Sequence, residues 1–298
     1  MTSLEGRTAI VTGAARGLGR AHALLLSRLG ARVVVNDTGG GLNGDGNSDN
    51  AAADVVAEIQ NAGGQAVAHF GSVSDWNAAR EMIELAVQTF GGLDILVNNA
   101  GILRDRMLVN MSEGEWDAVI DVHLKGHFCL LHHAAVHWRS ESKAGRTVDA
   151  SVLNTSSGSG LRGNPGQINY ASAKSGIAMM TLVAARELSR YGVRVNAIAP
   201  VARTRLTENT PGLGERIGQQ EGFDKWDPEN VSPLVAWLVS PECKLSGEVF
   251  GIVGGRIARQ KCWTEQEVFE VDRRWSVDEL KSALDHLPAG PSEFEFSA

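Results

Sequence analysis

Tyr170 and Lys174 lie four residues apart at the end of the stretch 154–174, which reads NTSSGSGLRGNPGQINYASAK. On a helix that spacing puts both side chains on one face, one turn apart. An ammonium beside a phenol favours the phenolate and lowers its pKa from the usual ~10. A phenol tuned in this way can exchange a proton near neutral pH. A hydroxyl cluster, Thr155, Ser156, Ser157 and Ser159, ends an apolar run just upstream, and a loop of Gly, Pro and Asn separates it from the tyrosine. Such a pair also occurs on ordinary solvated helix faces, so its weight depends on what accompanies it.

A second group sits near the start. Residues 12–19 read TGAARGLG, with glycines at 13, 17 and 19 between an apolar run and a helical pattern. Glycines there permit a tight turn and a close approach to paired phosphates, and the helix start offers free N–H groups to that anion. The spacing is T-G-x3-G-x-G rather than G-x-G-x-x-G; by itself it is also what a plain strand-to-helix turn looks like. Asp37 ends the next Val-rich run, at the distance where an acidic residue meets the adenosine ribose hydroxyls. A carboxylate there favours NAD and repels the extra phosphate of NADP.

The elements that must position these residues alternate along the chain. Strands are expected at 8–11, 31–36, 65–70, 93–97, 146–153, 193–198 and 247–253. Helices are expected at 20–29, 51–61, 75–90, 112–138, 167–191 and 228–239. This alternation predicts an α/β fold: a doubly wound parallel sheet of about seven strands whose C-terminal ends share one ligand-binding edge. Residues 38–50 form a glycine-rich loop, and the polar, aperiodic stretch 201–226 is expected to be a mobile lid. The main domain is expected to span 1–255. A C-terminal extension, 256–298, carries capping boxes at 264–267 and 276–279, and Trp263 and Trp275 for packing on the body or a partner subunit. Its end frays from Pro288.

The 298 residues are 43% hydrophobic and 21% charged, with net charge −7, which suits a large core and makes nucleic acid a poor partner. Three cysteines without metal-like spacing suit a reducing, cytoplasmic setting. No signal peptide and no membrane span are expected. His123, His127, His132, His133 and His137 crowd one helix, two pairs of them at ligand spacing. With no accompanying glutamate motif or cysteine, they are expected to bind no metal.

Taken together, residues 12–19, Asn98-Asn99-Ala100-Gly101, Ser157, and Tyr170 with Lys174 resemble the short-chain dehydrogenase/reductase family over about residues 5–255. The resemblance implies a Rossmann-type sheet binding NAD and hydride transfer at a carbinol or carbonyl carbon. It makes Tyr170 the acid/base, has Lys174 bind the nicotinamide ribose, and has Ser157 hold the substrate oxygen. It also implies cofactor contacts from Gly13, Arg16, Gly17, Leu18, Gly19, Asp37, Ser72, Val73, Asn99, Ala100, Gly101, Tyr170, Lys174, Pro200 and Thr204, and a homodimer or homotetramer paired through the long helices. The stretches VVVND (33–37), GILRD (101–105) and VHLKG (122–126) further resemble the (3R)-hydroxyacyl-coenzyme A dehydrogenase parts of multifunctional β-oxidation enzymes. That implies an acyl-CoA substrate and a free-standing dehydrogenase. Hydroxysteroid oxidation, carrier-protein-linked 3-oxoacyl reduction, or a non-enzymatic nucleotide-binding scaffold are the alternatives; an intact Ser157, Tyr170 and Lys174 argues against the last.

The chain departs from the family pattern at three places. His123 stands where asparagine is usual, on a proton path toward solvent in which either its imidazole or its backbone carbonyl alone takes part. Gly71 stands where many members have an adenine-side aspartate. Pro200-Val201 replaces proline-glycine, leaving Thr204 as the nicotinamide-amide contact.

Overall fold

The computed structural model describes residues 3–41, 50–208, 217–218, 222–261, 264–265 and 267–287. In chain order the elements are β1 (Thr8–Thr12), α1 (Gly17–Arg28), β2 (Arg32–Asn36), α2 (Asn50–Asn61), β3 (Ala66–His69), α3 (Trp76–Phe90) and β4 (Ile95–Asn98). Then come α4 (Glu113–Ile120), α5 (Gly126–Lys143), β5 (Ala150–Thr155), α6 (Gly158–Arg162), α7 (Ile168–Leu188) and β6 (Val193–Val201). The last are α8 (Arg205–Glu208), α9 (Ser232–Val239), β7 (Val249–Val253), β8 (Arg256–Gln260) and α10 (Val277–Leu284).

The strands form one sheet in the order β3-β2-β1-β4-β5-β6-β7-β8, parallel except for the last pair. The strand order runs outward in opposite directions from β1 and β4, so their C-terminal ends open the crevice where such sheets bind ligands. Alternate residues of each central strand feed opposite layers. Val11, Val33, Val35, Ile95 and Val97 join the core under α1, α2 and α9, while Ile10, Val34, Leu96, Val152 and Val195 join the one under α3, α5 and α7. Coverage on both faces explains why these strands read as continuous apolar runs. The helix boundaries follow their caps. Asp75 accepts from Ala78 N at the start of α3, which ends on Gly91 in the left-handed region. The Ser112–Glu115 box opens α4, and the Ser276–Glu279 box opens α10.

Among the described residues, the structure differs from the sequence expectation in its strand count, within one helix and at the end of β6. The sheet has eight strands, not about seven: after the turn at Gly254 the chain returns as β8, antiparallel to β7, with Arg256 and Ile257 exposed. Residues Met1–Gln260 and Lys261–Ala298 form separate compact units. The helix expected over 112–138 is interrupted by a π-helical segment, Asp121–Lys125, between α4 and α5. Strand β6 runs on to Val201 and takes Pro200 into the sheet, paired with Ile252. Of the expected lid, Arg203 N donates to Trp226 O and the Arg203 guanidinium pairs with Asp224, closing its base. The lid residues 209–216 and 219–221, most of the glycine-rich loop (42–49), Trp263, position 266 of the first expected capping box, and the tail from Pro288 lie outside the described residues.

Candidate active site

At the end of β1 the chain turns through Gly13 and Gly17, both at positive φ (62° and 51°). A Cβ on Gly13 would sit 2.8 Å from Ala100 Cα, and one on Gly19 would sit 2.2 Å from Gly13 O. Only glycine fits either position. Thr12 Oγ1 accepts from the backbone N–H groups of Asn99 (2.9 Å) and Ala100 (3.1 Å), and Asn99 Nδ2 donates to Thr12 O (2.9 Å). This clasp fixes the end of β4 to the glycine turn. It also commits the Asn99 amide to bracing the turn. The α1 start has no side-chain cap, so its first N–H groups are available to an anion.

Around this turn lies a cavity of about 320 Å³. Its walls include Gly13, Arg16, Gly17, Leu18, Asp37, Ser72, Val73, Asn99, Ala100, Gly101 and Thr204. Among the expected cofactor contacts, Gly19, Pro200, Tyr170 and Lys174 are not in that lining; Gly19 is buried behind Gly13. Arg205, Leu206 and Ile102 line it without having been expected. Asp37 holds the mouth, its two oxygens accepting from Ala15 N (3.0 Å) and Gly39 N (2.8 Å). An ionised carboxylate retains further acceptor sites beyond those two. At Gly71 a Cβ would meet Ala78 Cβ and His69 Cε1, each at 2.7 Å, so the packing excludes an aspartate there. A larger cavity, about 690 Å³, opens at the opposite ends of β2 and β3 between α1 and α2. It carries the Arg20–Glu58 ion pair and none of the hydroxyl, phenol and lysine groups singled out above.

The chemistry gathers at the end of β5. Ser157 caps α6 by accepting from Ser159 N (3.2 Å), and its hydroxyl acts to lower the pKa of Tyr170, which lies in the first turn of α7. One turn on, Lys174 is 2% exposed; its Nζ donates to Thr155 O (2.6 Å) and stands 5.5 Å from the Tyr170 ring centroid. Ser156 Oγ donates to Lys174 O (2.8 Å), tying β5 to α7. A Cβ on Gly160 would lie 2.6 Å from Lys174 backbone, so this glycine lets α6 approach α7 closely. Asn169, fully buried, accepts from Tyr170 N (2.7 Å) and donates to Arg104 O (2.9 Å), fixing the start of α7. Neither Asn169 nor Gln167 was singled out from the sequence. Polar residues in a helix's first turn carry no spacing signal that separates them from ordinary caps.

The electrostatics run against the sequence expectation. The Tyr170 phenol is pushed up to about 12, by loss of solvent first, against the Ser157 hydrogen bond, with Asp105 adding to the rise. Burial pushes Lys174 down to about 7. The lysine, expected to favour the phenolate, is itself only marginally charged at neutral pH, and the tyrosine here is a phenol. His123 sits in the π-helical segment, fully buried, with Nε2 2.8 Å from Ile102 O. A Cβ on Gly101 would lie 2.3 Å from the His123 ring, which explains the glycine. Burial first, then the nearby Lys174, hold both His123 and His127 well below the usual imidazole range, so both rings are neutral. His132 and His133 stack instead on Trp76 at the surface, at 4.8 and 4.4 Å between centroids. Thr204 reaches over the glycine turn: a Cβ on Gly17 would touch its methyl group at 3.3 Å.

Comparison with known proteins places this arrangement. The family model described as short chain dehydrogenase matches residues 7–213. The chain is 46% identical over 306 residues to the hydroxyacyl-CoA dehydrogenase ChsB1 of Mycobacterium tuberculosis, covering 100% of this chain and 93% of that one. It is 45% identical over 251 residues to the peroxisomal multifunctional enzyme type 2 of Drosophila melanogaster, covering 84% of this chain and 39% of that protein. The crystal structure of a short chain dehydrogenase from Mycobacterium avium superposes with a TM-score of 0.84 at 53% identity, covering 95% of this chain and 94% of that one.

Proposed function

Because the chain belongs to the short-chain dehydrogenase family and is an oxidoreductase, we propose that it interconverts a 3-hydroxyacyl-CoA and the 3-oxoacyl-CoA, with NAD as partner. The observation that carries this reading is the gathering of Ser157, Tyr170 and Lys174 where β5 ends and α7 begins, at the same sheet edge as the glycine cradle. The cradle suits a dinucleotide: its glycines leave no room for side chains, and an uncapped helix start faces the phosphate position. Asp37 at the mouth supports NAD over its 2′-phosphorylated form, by acceptance from ribose hydroxyls and repulsion of a phosphate. The names of ChsB1 and of the multifunctional enzyme support the acyl-CoA class.

In this reading the chain's own groups manage the oxygen and its proton. Ser157 donates to or accepts from the substrate oxygen and holds it against Tyr170. As the phenolate, its own proton first released, Tyr170 Oη takes the hydroxyl proton in oxidation; as the phenol it donates that proton in reduction. Lys174, charged or neutral at little energetic difference near pH 7, follows the charge on the phenol. The bound nicotinamide supplies the acceptor or the source of the hydride. Positioning and general acid–base action each contribute part of the rate.

Cytoplasmic residence and homo-oligomeric assembly belong to the same proposal. Cys129 and Cys243 are free and buried, and α7 leaves Met179 and Val183 exposed on a face a partner could cover. Among the described residues no helix is long and apolar enough to cross a membrane.

The test is NADH formation with (3R)-hydroxyacyl-CoA, its (3S) form and a hydroxysteroid side by side. Turnover of the acyl-CoA in preference to the steroid is expected. Steroid turnover with an inert acyl-CoA would overturn the substrate assignment.

A further inference from the structure

Beyond β4 the segment 102–107 runs beside the start of α7. Arg106 N donates to Gly166 O (2.9 Å), and Arg106 pairs with Gln167 in a single parallel bridge. That tie sets Asp105 against Gln167, whose Nε2 donates to Asp105 Oδ2 at 2.7 Å. Gln167 is 5% exposed and its amide is used at both ends. Its Oε1 accepts from Ser159 Oγ and from Asn164 Nδ2, each at 2.8 Å. The backbone N of Ser159 in turn donates to Ser157 Oγ. An enclosed amide with two donors at its oxygen must turn its nitrogen to an acceptor, and an ionised carboxylate is the stronger kind. Asp105 therefore stands at the head of a chain of contacts that ends on the Ser157 hydroxyl.

The carboxylate is also held near the phenol, because Gln167, which donates to it, lies three residues before Tyr170 at the start of α7. Lys174 from α7 and the neutral His123 ring from the π-helical segment face Tyr170, and Ser157 at the start of α6 and Asp105 after β4 act on its proton. Asp105 is the one of them that carries a negative charge, and it raises the tyrosine's hold on its proton. Gln167 faces Asp105, and the neighbouring Arg106 turns its guanidinium to Glu115 (3.1 Å).

We propose that Asp105 is a positioning residue for the reaction: through Gln167 it anchors the turn bearing Ser157 and Ser159, and its charge acts on Tyr170. The inference rests on Tyr170 being the acid/base. Its consequence is a bias. A carboxylate beside the phenol opposes the phenolate needed for alcohol oxidation and favours the phenol that donates to a ketone.

Asp105→Asn separates the two roles, because an amide keeps the shape and can still accept from Gln167 while losing the charge. Circular dichroism and NAD titration of the variant should match wild type. The rising limb of the pH profile for oxidation should move to lower pH, so turnover on that limb increases about threefold or more. Asp105→Glu, which keeps the charge, should restore the wild-type limb. Gln167→Met keeps the charge and cuts the tether; its kcat should fall about tenfold or more with the limb unmoved. An Asp105→Asn profile superimposable on wild type, or a loss uniform across pH, overturns the electrostatic role. A Gln167→Met enzyme with wild-type kcat overturns the anchoring role, even if Asp105→Asn fails to fold. The chain has 2 tyrosines, so tyrosinate absorbance with Tyr170→Phe as reference follows Tyr170 without any substrate. An earlier Tyr170 ionisation in Asp105→Asn supports the proposal even where the acyl-CoA assignment fails; an unchanged one sinks it.

Discussion

The His123 ring stands edge-on to Tyr170, centroids 5.1 Å apart and planes at 88°. The contact is made by ring edge and face, while the imidazole Nε2 is engaged with Ile102 O. This favours a packing role for the side chain over a place in the proton path. His123→Asn should keep kcat within about tenfold of wild type and lower the thermal midpoint, since an edge-to-face pair contributes about 0.5–1.5 kcal/mol. Steady-state rates and a melting curve decide it. A large loss of turnover with unchanged NAD binding would put the imidazole into proton transfer.

Removing only the Tyr170 hydroxyl isolates acid–base function. Tyr170→Phe should fold, bind NAD like wild type, and lose on the order of a hundredfold or more in turnover. Ser157→Ala should likewise lose turnover with cofactor binding spared. The readouts are NADH formation and NAD titration of each variant, and wild-type turnover by Tyr170→Phe rejects the mechanism.

Asp37 already accepts two backbone N–H groups, so its carboxylate is held in place before any ligand arrives. Tighter binding of NAD than of NADP is expected, and Asp37→Ala should narrow the difference. Arg16 and Arg205 share this wall, and without Asp37 they would be the natural partners of a 2′-phosphate. Fluorescence titration with both cofactors tests the preference; tighter NADP binding by wild type contradicts it.

Lys174 makes stability depend on pH. Its folded value of about 7 lies below its ordinary 10.5, so between those values the unfolded chain holds a proton that the folded chain sheds. Stability therefore rises with pH across that window, at a limiting slope of about 1.4 kcal/mol per unit. Tyr170, raised to about 12, acts in the opposite direction, but only above pH 10. Denaturant unfolding from pH 7 to 10 should show the rise in wild type and a flatter curve in Lys174→Met. Equal slopes in both would mean that Lys174 is not the group responsible.

The seven strands expected from apolar runs all form, because each is covered on both faces and hydrophobicity alone announces it. β8 escaped for the opposite reason: Arg256, Arg259 and Gln260 give an edge strand no apolar run to read. The π-helical segment was invisible because its residues, DVHLK, keep the helical pattern of their neighbours. The motif residues at the cradle and at Ser157, Tyr170 and Lys174 were legible through fixed spacing. Asn169 and Gln167 act through contacts made only when distant segments meet, and the protonation of Tyr170 depends on burial that no spacing encodes.

A polar ladder crosses the apolar interior beneath the site. Asn98 Nδ2 donates to Asn154 Oδ1 (3.0 Å), Asn154 Nδ2 donates to Thr181 Oγ1 (2.9 Å), and Thr181 Oγ1 donates to Ile177 O (2.9 Å). Its consequence concerns folding fidelity. If β5 paired with β4 one residue out of register, Asn154 would swing to the other face of the sheet. Asn98 and Thr181 would then be stranded in hydrocarbon, at about 1–3 kcal/mol for each unsatisfied group. A purely aliphatic seam would tolerate such a slip far better. The rungs thus favour the one register that brings Ser157, three residues beyond Asn154, to the site.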